Sequence, residues 1–253
     1  MIWSYGVTTV SSRLATTLPG SLQSIANAGF DKPRLFIDDC CDGDSYAAQF
    51  GLEVTSHYPK LNVAGNWILT LWELYLRNPL ADRFAVFQDD ILACANLRAY
   101  LEKSPYPDNG YLNLYTSPSN QDLATLRASR GTIVKGWYES NQLGRGALGL
   151  VFNRPAVVTL LKAEHLVAKP QDPFRGWRTI DGGISDSFRN AGWKEYVHNP
   201  SLIQHVGRES SYDKRKKNFT KDGQHPTFTW PSRWQAPSFP GEGFNALDLL
   251  SKS

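Results

Sequence analysis

The sequence predicts an α/β fold in which helices flank a mostly parallel central sheet. Short apolar, β-branched runs alternate with longer amphipathic segments, and two of these runs, PRLFIDD (33–39) and RFAVFQDD (83–90), end in paired acids. Strands that are separated by helices form largely parallel sheets, which bind ligands beyond the carboxyl ends of their strands. Both acidic pairs are therefore expected at the ligand-binding edge of the sheet.

The first half of the chain contains a regular alternation of predicted elements. A helix that follows the first strand ends at Gly29, and a longer one, whose apolar residues recur at helical spacing, is closed by Pro79. The buried strands are short and apolar, as expected in a parallel sheet. In order, we predict strand 5–10, helix 18–28, strands 33–39 and 52–57, helix 62–77, strand 83–90 and helix 92–103.

The second half is less regular and ends in a tail without periodicity. We predict strand 111–116, a polar stretch to residue 130, strand 146–152, helix 155–168 and a helix over 180–192. Asp181 lies in the first turn of that last helix, where an acid is favourable. The chain is therefore expected to form one large catalytic domain over residues 1–207, followed by an irregular tail over 208–253 that packs on or covers the active site.

Composition and cysteine content indicate a folded protein of a reducing compartment. Hydrophobic residues make up 41% and charged residues 20% of the 253 residues, a balance typical of globular proteins. The three cysteines, Cys40, Cys41 and Cys94, form neither a convincing disulfide framework nor a zinc motif. No basic leader and no apolar run of ~20 residues is present. The expected location is the cytoplasm, without membrane association.

The positive charge of the protein is concentrated in the tail. Residues 208–221 contain six basic and two acidic side chains, which gives this segment +4, whereas the remainder of the chain carries −1. Aromatic residues interleave with these lysines and arginines. Such a segment suits a nucleic-acid backbone, a mobile lid over a diphosphate, or a solvated surface. The sequence leaves all three interpretations open.

Asp89 and Asp90 are the first candidates for chemistry, because two acids at the end of a buried strand need compensation. A divalent cation that also binds a diphosphate is one compensator, and Mg²⁺ or Mn²⁺ has the required preference for oxygen ligands. The alternative is structural, since acids are also favoured at helix N-termini. The residues alone do not decide between a metal site and a helix cap.

A family resemblance adds to this pattern. The blocks YGVTTV, LPGSLQSIANAGF, PRLFIDD, RFAVFQDD, GALGLVF, IDGGISDSF and YVHNPSLIQHVG occur in the order in which they resemble GT-A glycosyltransferases. The resemblance covers residues 3–211 and is greatest to bacterial and phage proteins distantly similar to N-acetylglucosaminyltransferases. It implies a GT-A (Rossmann-like) fold and a nucleotide-sugar donor, expected to be a UDP-sugar, bound with Mn²⁺ or Mg²⁺.

The resemblance also implies a metal site and a catalytic base. In the family an acidic DxD-type motif and a late histidine bind the metal, and the equivalents here are Gln88, Asp89 and Asp90, with His205. Gln88 in the leading position departs from the pattern, so Asp90 is the expected direct ligand and Asp89 a donor contact. Asp181 matches the base that takes the acceptor proton.

Two neighbouring residues compete for these roles. Asp186 lies close to Asp181 in the sequence, and His198 precedes His205. A lone histidine is more often a hydrogen-bonded structural residue than a metal ligand. The resemblance favours His205 as the metal ligand and Asp181 as the base, so we expect His198 to be structural.

The nucleotide is expected on the first half of the sheet, and the acceptor is expected at the segment 136–152. No P-loop or Rossmann glycine motif is present, so the diphosphate is expected to be held through the metal. The segment 136–152 combines aromatic, amide and glycine residues suited to stacking on a sugar or base, although an ordinary surface loop has the same composition. The resemblance implies donor contacts from Thr8, Thr9, Val10, Arg13, Asp38, Asp39, Asn66, Gln88 and Asp89, and the composition of 136–152 suggests acceptor contacts from Trp137, Tyr138, Gln142 and Gly146.

The leading functional hypothesis is a metal-dependent, inverting glycosyltransferase of the hexosyltransferase type. Its acceptor is a hydroxyl of a glycan or of a hydroxymethylated base in phage-type DNA, and a phage-encoded enzyme would act in the host cytoplasm. The alternatives are a nucleotidyltransferase, which the missing glycine-rich, lysine-containing N-terminal loop disfavours, and a non-catalytic sugar- or DNA-binding module on the same fold. The sugar, the acceptor, the stereochemical outcome and the oligomeric state remain open.

Overall fold

A computed structural model of the protein describes residues 1–132, 134–173, 180–207 and 235–252. The strands are β1 (Trp3–Val10), β2 (Arg34–Asp38), β3 (Val54–His57), β4 (Arg83–Gln88), β5 (Ile91–Ala93), β6 (Gly110–Asn113), β7 (Gly136–Glu139), β8 (Gly149–Asn153), β9 (Lys194–Asn199) and β10 (Ile203–His205). The helices are α1 (Leu18–Asn27), α2 (Gly43–Phe50), α3 (Asn62–Arg77), α4 (Leu97–Lys103), α5 (Pro118–Ser129), α6 (Arg154–Leu161), α7 (Glu164–Val167) and α8 (Ile180–Asn190).

Eight of these strands form the central sheet, in the order β3-β2-β1-β4-β8-β6-β9-β7. Strands β1 to β4 pair in parallel, β8 lies antiparallel between β4 and β6, and β7 is antiparallel to β9 at the edge. Six strands of the sheet therefore run in one direction, which confirms the prediction of a mostly parallel sheet. Strands β5 and β10 form a separate antiparallel ribbon.

The sheet is buried on both faces, and β4 shows how. Phe84 and Val86 pack with α3, α6 and α8, whereas Ala85 and Phe87 pack with α1 and α4. Successive side chains of a strand point to opposite faces, so an unbroken apolar run is required where both faces are covered. This is why the run RFAVF is apolar throughout after its first residue.

The chain after Asp90 differs from the prediction. Residues 92–103 are predicted as one helix, but strand β5 comes first and α4 begins only at Leu97. The hydroxyl of Ser21 on α1 donates to the backbone oxygens of Asp89 and Ile91 and accepts the Ile91 N–H. Asp89 and Asp90 are followed by a strand and do not cap a helix, so the helix-cap interpretation is wrong.

Other differences concern segments whose sequence signal is weak. Helix α5 is missing from the prediction because the segment is polar, with only Asn120 and Ala124 buried. Helix α2 and strand β7 were also not predicted, and the predicted helix 155–168 is divided into α6 and α7. Tertiary packing stabilises these short elements, and local periodicity does not reveal them.

The described end of the chain packs on the ribbon and α4. The Ala95 N–H donates to the backbone oxygens of Glu242 and Phe244, and Ala95 O accepts the Ala246 N–H. A 3₁₀ helix over Ala246–Lys252 follows. The basic run 208–221 lies outside the described residues. Within the described ranges no helix is long and apolar enough to cross a membrane, and all three cysteines are free thiols.

Candidate active site

The parallel register of β1 with β4 and β2 creates a cleft at the carboxyl edge of the sheet. Thr8 lies beside Gln88 and Val10 beside Asp38, so the residues that follow these strands converge. The cleft is lined by Thr8, Thr9, Val10, Arg13, Asp38, Val63, Asn66, Gln88 and Asp89. Eight of the nine predicted donor contacts thus line a single cleft.

Two residues of this cleft differ from the predicted set. Asp39 does not line it and instead faces Lys60, whose ammonium lies 3.5 Å from the Asp39 carboxylate. Val63 lines it without having been predicted. Its position one helical turn before Asn66 on α3 is the sequence signal that would have identified it, because residues i and i+3 share a helix face.

Arg13 compensates the charge of the two buried acids. Its Nη1 atom lies 2.6 Å from Asp89 Oδ1 and 2.7 Å from Asp90 Oδ2, and both carboxylates are almost fully buried. A 3₁₀ turn directly after β1 places the guanidinium there. Arg13 lines the cleft as predicted, and its guanidinium forms ion pairs with both acids.

The two carboxylates of the pair are not equivalent. Asp89 uses both oxygens, since Oδ1 accepts from Arg13 and Oδ2 accepts from the Thr9 hydroxyl. Asp90 Oδ2 faces Arg13 and His205, but Asp90 Oδ1 is buried without a hydrogen-bond partner among the described residues. An orphaned carboxylate oxygen is costly in a protein interior. Asp90 is therefore the acid with a free coordination position.

The environment also separates the pKa values of the two acids. Burial raises the pKa of Asp89, and the nearby Asp90 charge adds to this shift against the opposing effect of Arg13. Burial acts on Asp90 as well, but the hydrogen bond and charge of His205, together with Arg13, hold the pKa of Asp90 below its usual value. Asp90 is the more readily ionised member of the pair.

The β5–β10 ribbon places His205 next to Asp90. His205 pairs with Ile91, and the Val206 N–H donates to Asp90 O at 2.8 Å. The Nε2 atom of His205 lies 3.3 Å from Asp90 Oδ2. At Gly207 an added Cβ would lie 2.5 Å from Asp90 Oδ2 and 2.9 Å from His205 Nε2. Gly207 therefore keeps open the space around both side chains, a role that sequence reasoning did not assign.

The chemistry of this pair fits a divalent cation that is only partly held by protein. No group of three or more His, Cys, Asp and Glu side chains in the described part of the chain has the geometry of a metal site. Mg²⁺-type sites use one or two carboxylates and complete their coordination with phosphate oxygens and water. Asp90 with its orphaned oxygen, and His205 with its imidazole, are ligands of the type that Mn²⁺ accepts.

Asp38 brings a second orphaned carboxylate oxygen to the cleft. Its Oδ1 accepts the Leu61 N–H at 2.7 Å, while Oδ2 is buried without a partner among the described residues. Burial raises the pKa of Asp38. Across the cleft, His57 Nδ1 lies 2.6 Å from Asn66 Oδ1 and fixes that side-chain amide. The cleft thus presents an acceptor and an oriented amide to a polar ligand.

Asp181 is connected to the acidic pair through the segment before β8. Its Oδ2 accepts the Gly146 N–H at 2.8 Å, and the neighbouring Ala147 O accepts from Gln88 Nε2 at 3.0 Å. Burial raises the pKa of Asp181 against the opposing backbone hydrogen bonds of Gly146 and Ala147. The competing acid, Asp186, instead pairs with Arg189 on the same helix.

The four predicted acceptor residues lie in different environments. Gly146 contacts Asp181, as described above. Tyr138 is buried and its hydroxyl donates to Asn120 O, and the Gln142 amide bonds the backbone N–H and C=O of Glu195. Trp137 packs edge-on against His198, with ring centroids 4.9 Å apart, in a separate cavity. The structure does not bring these four side chains together.

His198 is held in the core. Its Nε2 lies 2.7 Å from the Tyr100 hydroxyl and its Nδ1 lies 2.6 Å from Pro200 O. Burial lowers the pKa of His198 to about 4. The imidazole is therefore neutral at pH 7, with both nitrogens occupied.

Comparison with known proteins gives a likeness of fold without a likeness of sequence. No protein-family model and no curated protein matches the sequence. The structure of GalNAc-T7 with UDP, GalNAc and Mn²⁺ superposes with a TM-score of 0.58 and 14% identity, covering 81% of this chain and 44% of that one. This chain thus spans less than half the length of GalNAc-T7.

Two further solved structures are more distant. Mannose-1-phosphate geranyltransferase from Thermus thermophilus matches with a TM-score of 0.46 and 15% identity, over 78% of this chain and 74% of that one. The Drosophila β1,4-galactosyltransferase 7 complex with manganese, UDP-Gal and xylobiose matches with a TM-score of 0.41 and 12% identity, over 88% and 82%. Together with the sheet topology, the superposition on GalNAc-T7 shows that this chain has the GT-A, Rossmann-like fold that its sequence predicts.

Proposed function

We propose that the protein is a metal-dependent glycosyltransferase that moves a sugar from a UDP-sugar to an acceptor hydroxyl. One observation carries the proposal. Asp90 directly follows Asp89, which lines the cleft, and its Oδ2 lies 3.3 Å from His205 Nε2, while its buried Oδ1 has no partner among the described residues. A diphosphate bound along this cleft would complete the coordination of a cation held by both side chains.

The fold supports this ligand class. GalNAc-T7, which has the same fold, was solved with UDP, GalNAc and Mn²⁺. In parallel sheets of this kind, ligands bind outside the carboxyl ends of the strands. The cleft, Asp90 and His205 all lie at that edge, and we extend the same ligand class to this chain on these grounds.

The nucleoside half of the donor would bind between Asp38 and Asn66. The orphaned Asp38 Oδ2 is suited to accept a hydrogen bond from a base N–H or a ribose hydroxyl. The amide of Asn66 is oriented by His57 and is suited to bond the same ring system. Thr8 and Thr9 line the wall between them and the acidic pair, so the diphosphate would point towards Asp90.

Asp90 and His205 would hold Mn²⁺ or Mg²⁺, which neutralises the diphosphate leaving group when bound. Asp89 and Arg13 would not bind the metal directly. Asp89 is saturated by Thr9 and Arg13, so it orients the guanidinium and does not offer a free oxygen. The fixed positive charge of Arg13 adds to the hydrogen bond and charge of His205, which together hold the pKa of Asp90 below its usual value.

Asp181 would act as the general base of an inverting transfer. It would take the proton of the acceptor hydroxyl while that oxygen bonds to the anomeric carbon and the carbon–diphosphate bond breaks. The Gly146 N–H holds one carboxylate oxygen in place. The raised pKa of Asp181, caused by burial, makes it a stronger base than an exposed aspartate.

The acceptor would be a hydroxyl of a glycan or of a modified DNA base. A glycan hydroxyl and the hydroxymethyl group of a modified DNA base are chemically equivalent nucleophiles. The basic segment 208–221, on which the DNA hypothesis depends, lies outside the described residues. The two acceptors are therefore treated as two outcomes of the same assay.

The test is donor turnover with a panel of UDP-sugars and Mn²⁺, followed by mass spectrometry of the products. We expect transfer to one of two acceptor sets, oligosaccharides or hydroxymethylated DNA, and loss of transfer in Asp90→Asn and Asp181→Asn. Release of diphosphate from UTP and a sugar 1-phosphate would instead identify a nucleotidyltransferase. Saturable UDP binding without turnover of any donor would indicate a binding module and overturn the proposal.

A further inference from the structure

A second cavity lies on the face of the sheet that packs against α1 and α4. It has a volume of about 640 Å³ and shares no lining residue with the active-site cleft. Helix α4, the β7–β9 edge and the segment around Phe244 and Leu250 enclose it. Small-molecule sites typically have volumes of roughly 300–1,000 Å³ and mostly apolar linings. The size and position of this cavity are those of an independent ligand site.

Its walls are flat and apolar. The rings of Tyr100 and Trp137 each pack edge-on against His198, and Phe244 and Leu249 add further apolar surface to the lining. The polar atoms of both His198 and Tyr100 are already hydrogen-bonded. The Tyr100 hydroxyl bonds His198 Nε2, and His198 Nδ1 bonds Pro200 O. This part of the lining favours contact with a flat ring of a ligand, and its side chains carry no charge.

The unused polar groups of the cavity are hydrogen-bond donors. The indole Nε1 of Trp137 is buried and has no partner among the described residues. The side chain of Lys135 is exposed at the rim, and none of the described residues that line the cavity is acidic. Within the described residues, no ion pair involves Lys135. Ser104 and Asn199 also line the cavity, and they donate to Tyr100 O and Val134 O. Lys135 and the Trp137 indole are the donors without a partner among the described residues, and Lys135 gives the described lining a net positive charge.

We propose that this cavity binds a small molecule with a flat apolar ring system and an anionic end. The ring system would lie against Trp137 and Leu249, and the anion would accept hydrogen bonds from the Trp137 N–H and Lys135. A ligand of this class satisfies the buried indole N–H, which otherwise costs free energy. The proposal is independent of the glycosyltransferase reaction and assigns Trp137 to this cavity instead of to the acceptor.

The probe is 2-naphthoate, with 2-naphthalenemethanol as the matched neutral molecule, and binding to the full chain is measured by isothermal titration calorimetry. We expect one saturable site for the naphthoate and about fivefold weaker binding of the alcohol. Lys135→Ala should weaken only the naphthoate, whereas Trp137→Phe, which keeps an aromatic ring, should weaken both by about fivefold. Lys162→Ala, an exposed lysine after α6, should change neither.

A filled cavity provides the decisive control. Leu249→Trp adds volume at the wall and should abolish binding of both probes, while thermal unfolding shows whether each variant remains folded. Three results would overturn the proposal: no saturable heat from the naphthoate, equal affinity in all folded variants, or displacement by UDP with Mn²⁺. The last result would place the naphthoate in the active-site cleft.

Discussion

The guanidinium of Arg13 lies between the carboxylates of Asp89 and Asp90, with one nitrogen, Nη1, at 2.6 Å and 2.7 Å from an oxygen of each. A single hydrogen-bonding cation thus serves two acids that are both buried. Removing one partner of a buried ion pair leaves an uncompensated charge, which is far more costly than removing a partner at the surface. The arrangement makes Arg13 the residue on which the folded state of the metal-free site depends.

Arg13→Ala should therefore destabilise the metal-free protein by about 3 kcal/mol. Urea unfolding measures the loss, and Mn²⁺ with UDP should recover part of it because a cation again compensates the acids. Arg77→Ala is the matched control, since Arg77 is half exposed and pairs with Glu73 at 3.6 Å, and it should cost less than about 1 kcal/mol. Equal losses in the two variants would show that Arg13 does not compensate the pair.

Asp90→Asn and Asp89→Asn should affect metal binding unequally. Asp90 has a buried oxygen without a partner among the described residues, whereas both oxygens of Asp89 accept hydrogen bonds, from Arg13 and Thr9. We expect Asp90→Asn to weaken Mn²⁺ binding in the presence of UDP at least ~100-fold, and Asp89→Asn by about tenfold. Electron paramagnetic resonance of free Mn²⁺ measures both affinities. The reverse order would assign direct ligation to Asp89.

Gly207→Ala should weaken metal binding by about tenfold without unfolding the protein. The added Cβ would meet Asp90 Oδ2 at 2.5 Å and His205 Nε2 at 2.9 Å, so both side chains must shift. Gly243→Ala is the matched control, because among the described residues no atom other than those of Gly243 and its chain neighbours lies within 4 Å of the Cβ that this change adds. The same Mn²⁺ titration compares the two variants, and an unchanged affinity in Gly207→Ala would place the metal elsewhere.

The pH dependence of turnover should report on Asp181. A general base acts in its ionised form, so kcat should fall as the pH falls through the pKa of Asp181. Burial raises that pKa, and the acid limb should therefore lie above the ordinary aspartate value of about 3.9. Asp181→Asn should lower kcat at least ~100-fold while leaving UDP binding intact. An acid limb that persists in the residual activity of this variant would belong to another group.

His198 should make the folded state sensitive to mild acid. Burial lowers its pKa from about 6.5 to about 4, so below pH 6.5 the unfolded chain takes up a proton that the folded protein does not. The free energy of unfolding should fall by about 3 kcal/mol between pH 6.5 and pH 4. Below pH 4 the histidine is protonated in both states, so it should cause no further decrease. Urea unfolding at several pH values measures the slope. His198→Gln, which cannot titrate, should flatten it, and an unchanged slope would exclude His198 as the source.

Local patterns in the sequence were sufficient for most of the fold. The helix Asn62–Arg77 has the predicted bounds, and β1, β2 and β4 lie within a few residues of the predicted runs. These elements have strong signals, because a buried strand must be apolar on both faces and a packed helix must repeat with its own period. Elements whose stability comes mainly from packing, such as α5 and β7, lack such signals.

By itself, the sequence determined the α/β class and the edge at which strands β1, β2 and β4 deliver their polar residues. Parallel register alone brings Thr8 beside Gln88 and Val10 beside Asp38, so a cleft follows from the strand order. Tertiary structure decided the rest. The pairing of β5 with β10 places His205 next to Asp90, and the turn after β1 places Arg13 between the two acids. Trp137, a predicted acceptor contact, instead lines a separate cavity. These contacts join residues far apart in the chain, and their geometry depends on how whole elements pack, which no local periodicity encodes.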